Sequence, residues 1–473
     1  MSQPVAPLDL SVPGKYHVVG VGGPGMSAIA IVLAEMGHDV TGSDIRERSV
    51  LDRVRAAGVR VAVGHDRTLV HDRDAITYST AIPARNIELD EATKVGVTSL
   101  HRSGMLASIC AQAKSLAVAG THGKTSTTSM LMLILSQAGA RPSFVIGGDV
   151  TDMGTGAQWT GSEWLVVEAD ESDGTHLELP LHGTILTNVE IDHLDHYGTY
   201  EAIIEGFDTY LGQIPGPKVL CLDDPRCAVL AAKHGAITYG TSPEADYVAT
   251  DIEPVGGAFT FDVVHHGEVL GSVSLPLRGI HNVRNATGAL AMAHAIGVPF
   301  ADAAAALSKF GGVARRFDIR AVDGGATLVD DYAHLPNEIA AVLAAAKGSG
   351  DGWKRVVAVF QPNRFNRMAV MWQEYRDAFV DADLVVLTDI FPSGTAPIPG
   401  VTGKLVVNAV LDAHPDTPLV WLPRRADLVD HLARRLRDGD VCISMGCGDI
   451  ATLPDEVQAR RAELRVEQRQ RPT

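Results

Sequence analysis

The stretch from Ser115 to Ser126 limits what this chain can become more than any other. Its apolar run, Leu116 to Ala119, reads as a buried strand, and Gly120, Thr121, His122 and Gly123 make a tight turn. Lys124 and Thr125 then open a helix expected from Ser126 to about Ala138. A strand, a glycine turn and a helix start gather backbone N–H groups beside the positive end of a helix dipole, and that arrangement holds phosphate. Lys124 adds a point charge for the outer phosphates, and the Thr125 hydroxyl a ligand for Mg²⁺. The loop is shorter than the common form, because Val118 stands where a first glycine would fall. The bland alternative is a glycine turn ahead of a helix that happens to contain lysine. The apolar strand before the loop and the helical run Met130 to Leu135 after it favour the phosphate loop.

At 473 residues the chain exceeds one core, and about three domains are expected. Lys and Arg number 40 against 57 Asp and Glu, a net charge of −17, which argues against nucleic acid as a partner. A small anion needs only a few local cations, so it is not excluded. No stretch approaches the roughly 20 apolar residues of a membrane span. The first residues lack the basic and apolar regions of a secretory leader, so no membrane insertion and a cytoplasmic location are expected. The 5 cysteines are scattered and form no Cys-x-x-Cys pair, which points to neither a disulfide framework nor a zinc site. The Arg-rich tail, Arg460 to Arg471, reads as a solvated helix end.

Ahead of the phosphate loop lies a first α/β unit. Tyr16 to Val19 is a strand, Gly20 to Gly25 a turn, and Met26 to Met36 an apolar helix. A second strand, His38 to Thr41, is expected to end at Gly42-Ser43-Asp44. The glycines at 20, 22 and 25, with an acidic residue about 20 positions on, match the dinucleotide fingerprint. They ensure a pyrophosphate at a helix N-terminus, which suits either NAD or a UDP-sugar, with Asp44 near a ribose or base. Val59 to Val63 and Ala75 to Tyr78 continue a parallel sheet.

After the loop, the strand Trp164 to Val167 runs into Glu168, Asp170, Glu171 and Asp173. Carboxylates at a strand end in such a domain hold Mg²⁺, so Glu168 is a ligand candidate, and His193 follows the next strand, Thr184 to Thr187. Phe259 to Val263 and Val269 to Leu275 alternate like antiparallel hairpin strands. Asn282 and Asn285 share one face of the Ala-rich helix that ends near Ile296; they are caps or readers of an adenine edge. A third unit has strands at 355–360, 384–387, 419–422 and 441–444. Its loops carry Arg315-Arg316-Phe317, Asp330-Asp331-Tyr332-Ala-His334, Gln361-Pro-Asn-Arg364-Phe-Asn-Arg367 and Gly446-Cys-Gly448-Asp449. Together these supply the cations and carboxylates of an active-site wall.

In this order the motifs resemble those of the Mur amide-ligase family, over nearly the whole chain. The resemblance rests on His17-Val-Val-Gly-Val-Gly-Gly-Pro-Gly-Met-Ser27, Gly120-Thr-His-Gly-Lys-Thr125, Glu168-Ala-Asp-Glu-Ser-Asp173 and Thr187-Asn-Val-Glu-Ile-Asp-His193. It rests also on His281-Asn-x-x-Asn285, Arg315-Arg-Phe317, Asp330-Asp-Tyr-Ala-His334-Leu-Pro336 and Gln361-Pro-Asn-Arg-Phe-Asn-Arg367. It implies three α/β domains: a Rossmann-like UDP-sugar domain over 1–112, a central ATPase domain over 113–313 and a Rossmann-like domain over 314–473. The central domain would join a parallel sheet to a small antiparallel one.

The implied reaction is ATP-dependent joining of UDP-N-acetylmuramate to L-alanine through an acyl phosphate, by a monomer or homodimer. Gly120 to Ser126 would cradle ATP, with Lys124 and Arg316 on its outer phosphates. Thr125, Glu168 and His193 would hold two Mg²⁺ ions, Asn282 and Asn285 would read adenine, and Asp331 the ribose. Gly22, Gly23 and Gly25 would take the UDP-sugar diphosphate, with Asp44 and His65 at the uridine. His122, His334, Arg364 and Arg367 would face the muramoyl group and the alanine carboxylate. Relatives that add later amino acids carry a carbamylated lysine downstream of the metal histidine; here Asp208 stands at that offset.

Three other readings compete. A ligase of the same fold could attach a preformed peptide to UDP-N-acetylmuramate. An NAD-dependent dehydrogenase would leave the phosphate loop, Glu168 and His193 without a task. A nucleotide sensor would leave the metal candidates and the Arg/His wall unexplained.

Overall fold

The computed structural model describes residues 7–470 apart from Asp152 and His193. Its first sheet has five strands, all parallel, in the spatial order Arg60–Val63, Asp39–Asp44, Lys15–Val19, Ala75–Tyr78, Thr98–His101. Helix Pro24–Glu35 follows the central strand, with Pro at its first turn and Ile29, Ala30, Val32 and Leu33 buried. The strand order reverses direction between Lys15–Val19 and Ala75–Tyr78, which leaves a crevice at the C-terminal ends of those strands. The glycine loop sits there. The second strand runs through Gly42 to Asp44 instead of ending before them. Gly42 belongs in the strand because a Cβ there would lie 2.8 Å from the Val21 side chain. Its missing side chain admits a neighbour rather than a turn.

The second sheet has ten strands. Its centre is parallel: Ile237–Gly240, Lys218–Cys221, Gly183–Leu186, Lys114–Ala119, Trp164–Glu168 and Ser143–Val150. Lys114–Ala119, buried from Ser115 onward, feeds helix Lys124–Gln137, whose Met130 to Leu135 are also buried. Such all-round apolar packing is what a helix between sheet and neighbours requires. Beyond Tyr247–Val255, strands Ala258–His265 and Glu268–Leu275 extend the far edge, joined by two-residue turns that only antiparallel neighbours can use. The expected antiparallel strands thus hydrogen-bond onto the parallel sheet.

Among the described residues, contacts gather the chain into two compact units: 1–252 with 261–275 and 282–311, and 253–260 with 276–281 and 312–473. The first holds both sheets above apart from the hairpin tip 253–260. The second is built on a six-stranded mixed sheet, in the order Asp318–Asp323, Ala326–Asp331, Asp440–Met445, Arg355–Phe360, Leu384–Leu387, Leu419–Trp421. Only the first pair is antiparallel. Ala326–Asp331 is buried throughout, so Asp330 and Asp331 end a strand instead of lying in a loop. Helix Leu453–Gln470 is docked along part of its length. Arg461 Nη1 donates to the Leu436 carbonyl at 3.0 Å, and Arg465 pairs with Asp323 at 2.6 Å. Arg461 and Arg465 tie this part of the helix to the sheet edge, while Ala462, Glu463, Arg465, Val466 and Glu467 stay exposed, in keeping with a solvated end. No helix among the described residues is long and apolar enough to cross a membrane.

Candidate active site

Helix Lys124–Gln137 starts at Gly123, whose φ of 82° is a left-handed turn that favours glycine. A Cβ there would also meet Asn285 Oδ1 at 2.7 Å, so Asn285 rests against the phosphate loop. The loop is framed by the segment after strand Gly183–Leu186. Thr121 N–H donates to the Asn188 carbonyl at 3.1 Å, and His122 N–H to Asn188 Oδ1 at 2.8 Å. In return Asn188 Nδ2 donates to the His122 carbonyl at 3.1 Å, and Thr187 Oγ1 to the same carbonyl at 2.6 Å. Asn188 is thus the loop's template, a role that no spacing rule announced. The His122 imidazole lies 3.4 Å from Glu190 Oε2.

Lys124 Nζ is held by both oxygens of Glu171, at 2.9 and 2.8 Å, and donates to the Gly120 carbonyl at 2.6 Å. Burial disfavours charge on both partners. Even so, Glu171, Asp170 and Glu168 hold the Lys124 ammonium above its ordinary pKa, while burial and the nearby Asp170 push Glu171 up. Glu168, at the end of its strand, accepts the Gly147 N–H at 2.8 Å. The Thr125 hydroxyl and the Glu168 carboxylate are both hard oxygen donors, the set a magnesium ion takes. His193 lies outside the described residues. Asn285 Nδ2 donates to Asn282 Oδ1 at 3.4 Å, so the two amides form a pair on one helix. Asp208 is occupied elsewhere, by Lys233 at 2.7 Å and His234 at 2.8 Å.

In the first sheet, Gly22 N–H donates to Asp44 Oδ2 at 2.9 Å and Arg46 N–H to Asp44 Oδ1 at 3.1 Å. Gly23 N–H closes the turn on the Gly20 carbonyl at 3.0 Å. Gly25 lies in the first turn of the helix. His65 Nδ1 lies 3.1 Å from both Ser43 Oγ and Glu88 Oε2. Glu88 is fully buried and also takes the Ser43 hydroxyl at 2.7 Å and the Asp66 N–H at 3.0 Å, with His17 at 3.4 Å. Burial alone would raise its carboxyl; the bonds from His17 and Ser43 outweigh that and hold it low. Sequence reasoning missed Glu88, since a glutamate in the first turn of a helix looks like a dipole partner.

The second unit holds the remaining candidates. The Arg316 guanidinium sits 5.3 Å from the Tyr332 ring. Asp331 accepts N–H bonds from Phe317 and Ala333, each at 2.7 Å, and burial pushes its carboxyl up to about 6. His334 is turned by its Nδ1 toward Tyr332 O at 3.1 Å and Glu338 at 3.3 Å. Arg367 Nη1 donates to Asn363 Oδ1 at 3.3 Å. Arg315, Phe317 and Arg364 adopt φ of 63°, 47° and 60°, which costs non-glycine residues about 1–3 kcal/mol each. Such strain persists where a side chain must be aimed, and all three lie in the Arg-rich loops singled out above.

Three family models match the chain in order. They are the Mur ligase family catalytic domain over 15–114, the Mur ligase middle domain over 118–293, and the Mur ligase glutamate ligase domain over 315–448. The chain is 41% identical to a UDP-N-acetylmuramate–L-alanine ligase of Pelotomaculum thermopropionicum, over 94% of this chain and 97% of that one. It is 43% identical to one of the same name from Acidothermus cellulolyticus, over 95% of each. Among solved structures it is similar to the UDP-N-acetylmuramate–alanine ligase MurC of Thermotoga maritima, with a TM-score of 0.80, 26% identity and coverage of 95% and 100%. A murein peptide ligase of Psychrobacter arcticus gives 0.67 at 25% identity, covering 94% and 98%.

Proposed function

This chain belongs to the Mur ligase family, and on that premise we propose that it joins UDP-N-acetylmuramate to L-alanine, with ATP cleaved to ADP and phosphate. A lactyl carboxylate oxygen attacks the γ-phosphorus of ATP, the bond to the β-phosphate oxygen breaks, and ADP leaves an acyl phosphate. The alanine amine then attacks the acyl carbon, loses a proton, and expels inorganic phosphate as the amide forms. Little covalent chemistry falls to the protein; positioning and neutralising moving charge do the rest.

The residues divide that work. Gly120 to Ser126 cradle the ATP phosphates, and Lys124 leaves Glu171 for the outer ones, joined by Arg316. Thr125, Glu168 and His193 would hold magnesium, two ions in all, which would supply neutralisation of the charge that develops on phosphate. Asn282 and Asn285 meet adenine, and Asp331 the ribose. Gly22, Gly23 and Gly25 receive the UDP-sugar diphosphate, with Asp44 and His65 at the uridine. His122, His334, Arg364 and Arg367 meet the muramoyl group and alanine. Residues 1–112, 113–313 and 314–473 are then the UDP-sugar, ATP and amino-acid domains.

The observation that carries this reading is the Lys124 ammonium held at 2.8 Å by Glu171 in a strand–loop–helix phosphate site, with Glu168 at the adjacent strand end. A dehydrogenase has no use for it. Likeness to alanine ligases over nearly the full chain favours a single amino acid over a preformed peptide. The test is ADP and phosphate formation from UDP-N-acetylmuramate, MgATP and an amino acid. L-alanine is expected to drive it; turnover with a peptide acceptor but not with alanine refutes the assignment.

A further inference from the structure

Arg102 opens helix Arg102–Cys110, and two carboxylates grip one side of its guanidinium. Nε donates to Asp173 Oδ2 at 2.9 Å, and Nη2 donates to Asp170 Oδ2 at 2.6 Å and lies 2.8 Å from Asp173. Nη1 has no hydrogen-bond partner among the described residues. It faces the glycine loop of the first sheet, since a Cβ placed on Gly25 would lie 3.5 Å from it. The side chain is only 25% exposed. Asp170 and Asp173 belong to the same turn as Glu171, which holds the phosphate-loop lysine. One rigid planar cation therefore spans the distance from the first nucleotide loop to the acidic turn of the second.

We propose that Arg102 is a positioning residue that couples the two sites. Nη1 engages the UDP-sugar diphosphate at the Gly25 turn, while Nε and Nη2 hold the Asp170–Asp173 turn. A filled first site then fixes the turn that flanks Lys124, and the phosphate loop binds Mg-nucleotide more tightly. This rests on the first loop holding a UDP-sugar, as proposed above. A guanidinium can do this because its nitrogens are locked in one plane; an ammonium has no such fork. Linkage makes the effect reciprocal: each ligand tightens the other by the same factor.

The test is calorimetric titration of the full chain with UDP-N-acetylmuramate, with and without a non-hydrolysable ATP analogue and Mg²⁺, and the converse titration. In the wild type each ligand is expected to tighten the other about fivefold or more. Arg102→Lys keeps a charge near the diphosphate but loses the fork. Asp173→Asn, which the proposal places on neither ligand, loosens the grip from the far side. In both the coupling ratio is expected to fall to about one. Asp173→Asn leaves each single affinity within a few-fold of wild type, whereas Arg102→Lys also weakens UDP-N-acetylmuramate binding and leaves the affinity for the Mg-nucleotide by itself within a few-fold. Thermal unfolding identifies any variant that fails to fold, and the other then carries the test. A wild-type ratio of one, or a ratio retained in a folded variant, overturns the coupling. Failure of the wild type to bind UDP-N-acetylmuramate would instead overturn the reading of the first loop, and the coupling with it.

Discussion

Two glycine loops in this chain are built on the same plan and finished differently. Each follows a buried parallel strand, Lys15–Val19 or Lys114–Ala119, and opens a helix, Pro24–Glu35 or Lys124–Gln137. In the first, the nearest carboxylate is turned onto the loop's own backbone, Asp44 taking the N–H of Gly22 at 2.9 Å. In the second, the loop N–H is taken by a neutral amide, Asn188, at 2.8 Å. Its carboxylates stand aside, Glu168 on Gly147 and Glu171 on Lys124. A diphosphate that only has to be held can be met by backbone dipoles and one fixed cation. A phosphoryl group that moves needs a mobile ammonium and metal ligands whose charge the loop has not already consumed.

The largest test of that contrast is Lys124→Ala. Turnover is expected to fall by about 10³-fold or more, as when one preorganised charge is removed from a reacting oxygen. UDP-N-acetylmuramate affinity, measured by calorimetry, should stay near wild type because the first loop does not use this lysine. Near-normal turnover would remove the distinction between the loops. Glu168→Gln should behave alike, with a raised requirement for Mg²⁺.

Gly22→Ala probes the other side. The new Cβ would sit 2.7 Å from Asp44 Oδ2 and force the bond that closes the loop to open. A cost of about 1–3 kcal/mol is expected, seen as a roughly 10–100-fold higher KM for UDP-N-acetylmuramate at unchanged kcat. A fall in kcat with KM unchanged would mean that the first loop takes part in the chemistry.

How much of this the sequence made legible follows the same divide. Backbone-made features were readable: both loops, their strands and their helices follow from glycine spacing and apolar runs. Strand Ala326–Asp331 was not, because its terminal carboxylates look like loop residues until Arg315 is seen 3.0 Å from Asp330. Asn188 and Glu171 were within the quoted motifs, yet nothing in their spacing told a loop template or a lysine partner from filler. Glu88 lies 71 residues from His17, in the first turn of helix Ile87–Val95, and only the fold brings them together. Side chains that serve other side chains leave no period in a sequence.

Asn188→Ala removes the amide from both His122 contacts and leaves a loop N–H unpaired, at about 1–3 kcal/mol. KM for ATP should rise most, with a smaller weakening of UDP-N-acetylmuramate binding through His122. Equal loss at both ligands would mean that the framing of the second loop also supports the first.

The smallest effect on turnover is expected from the two buried histidines, which repeat the contrast. His17 is bonded to Thr41 at 2.8 Å and faces Glu88. His176, packed 5.4 Å from Phe207 and 5.3 Å from Tyr210, has neither ring nitrogen partnered among the described residues. Burial pushes its pKa down from the ordinary 6.5 to about 4. Between those values the unfolded chain binds the proton and the folded chain does not, so stability falls as pH drops from 6.5 toward 4. His176→Phe keeps the ring packing and removes that term. It should recover about 1–2 kcal/mol at pH 5 relative to pH 7, read from denaturant midpoints, with turnover unchanged at neutral pH. His17→Phe should destabilise at both pH values, because it removes one of the partners that offset the burial of Glu88, leaving Ser43, Asp66 and His65 to hold it. Parallel acid losses in the wild type and His176→Phe would show that His176 is not held neutral by burial.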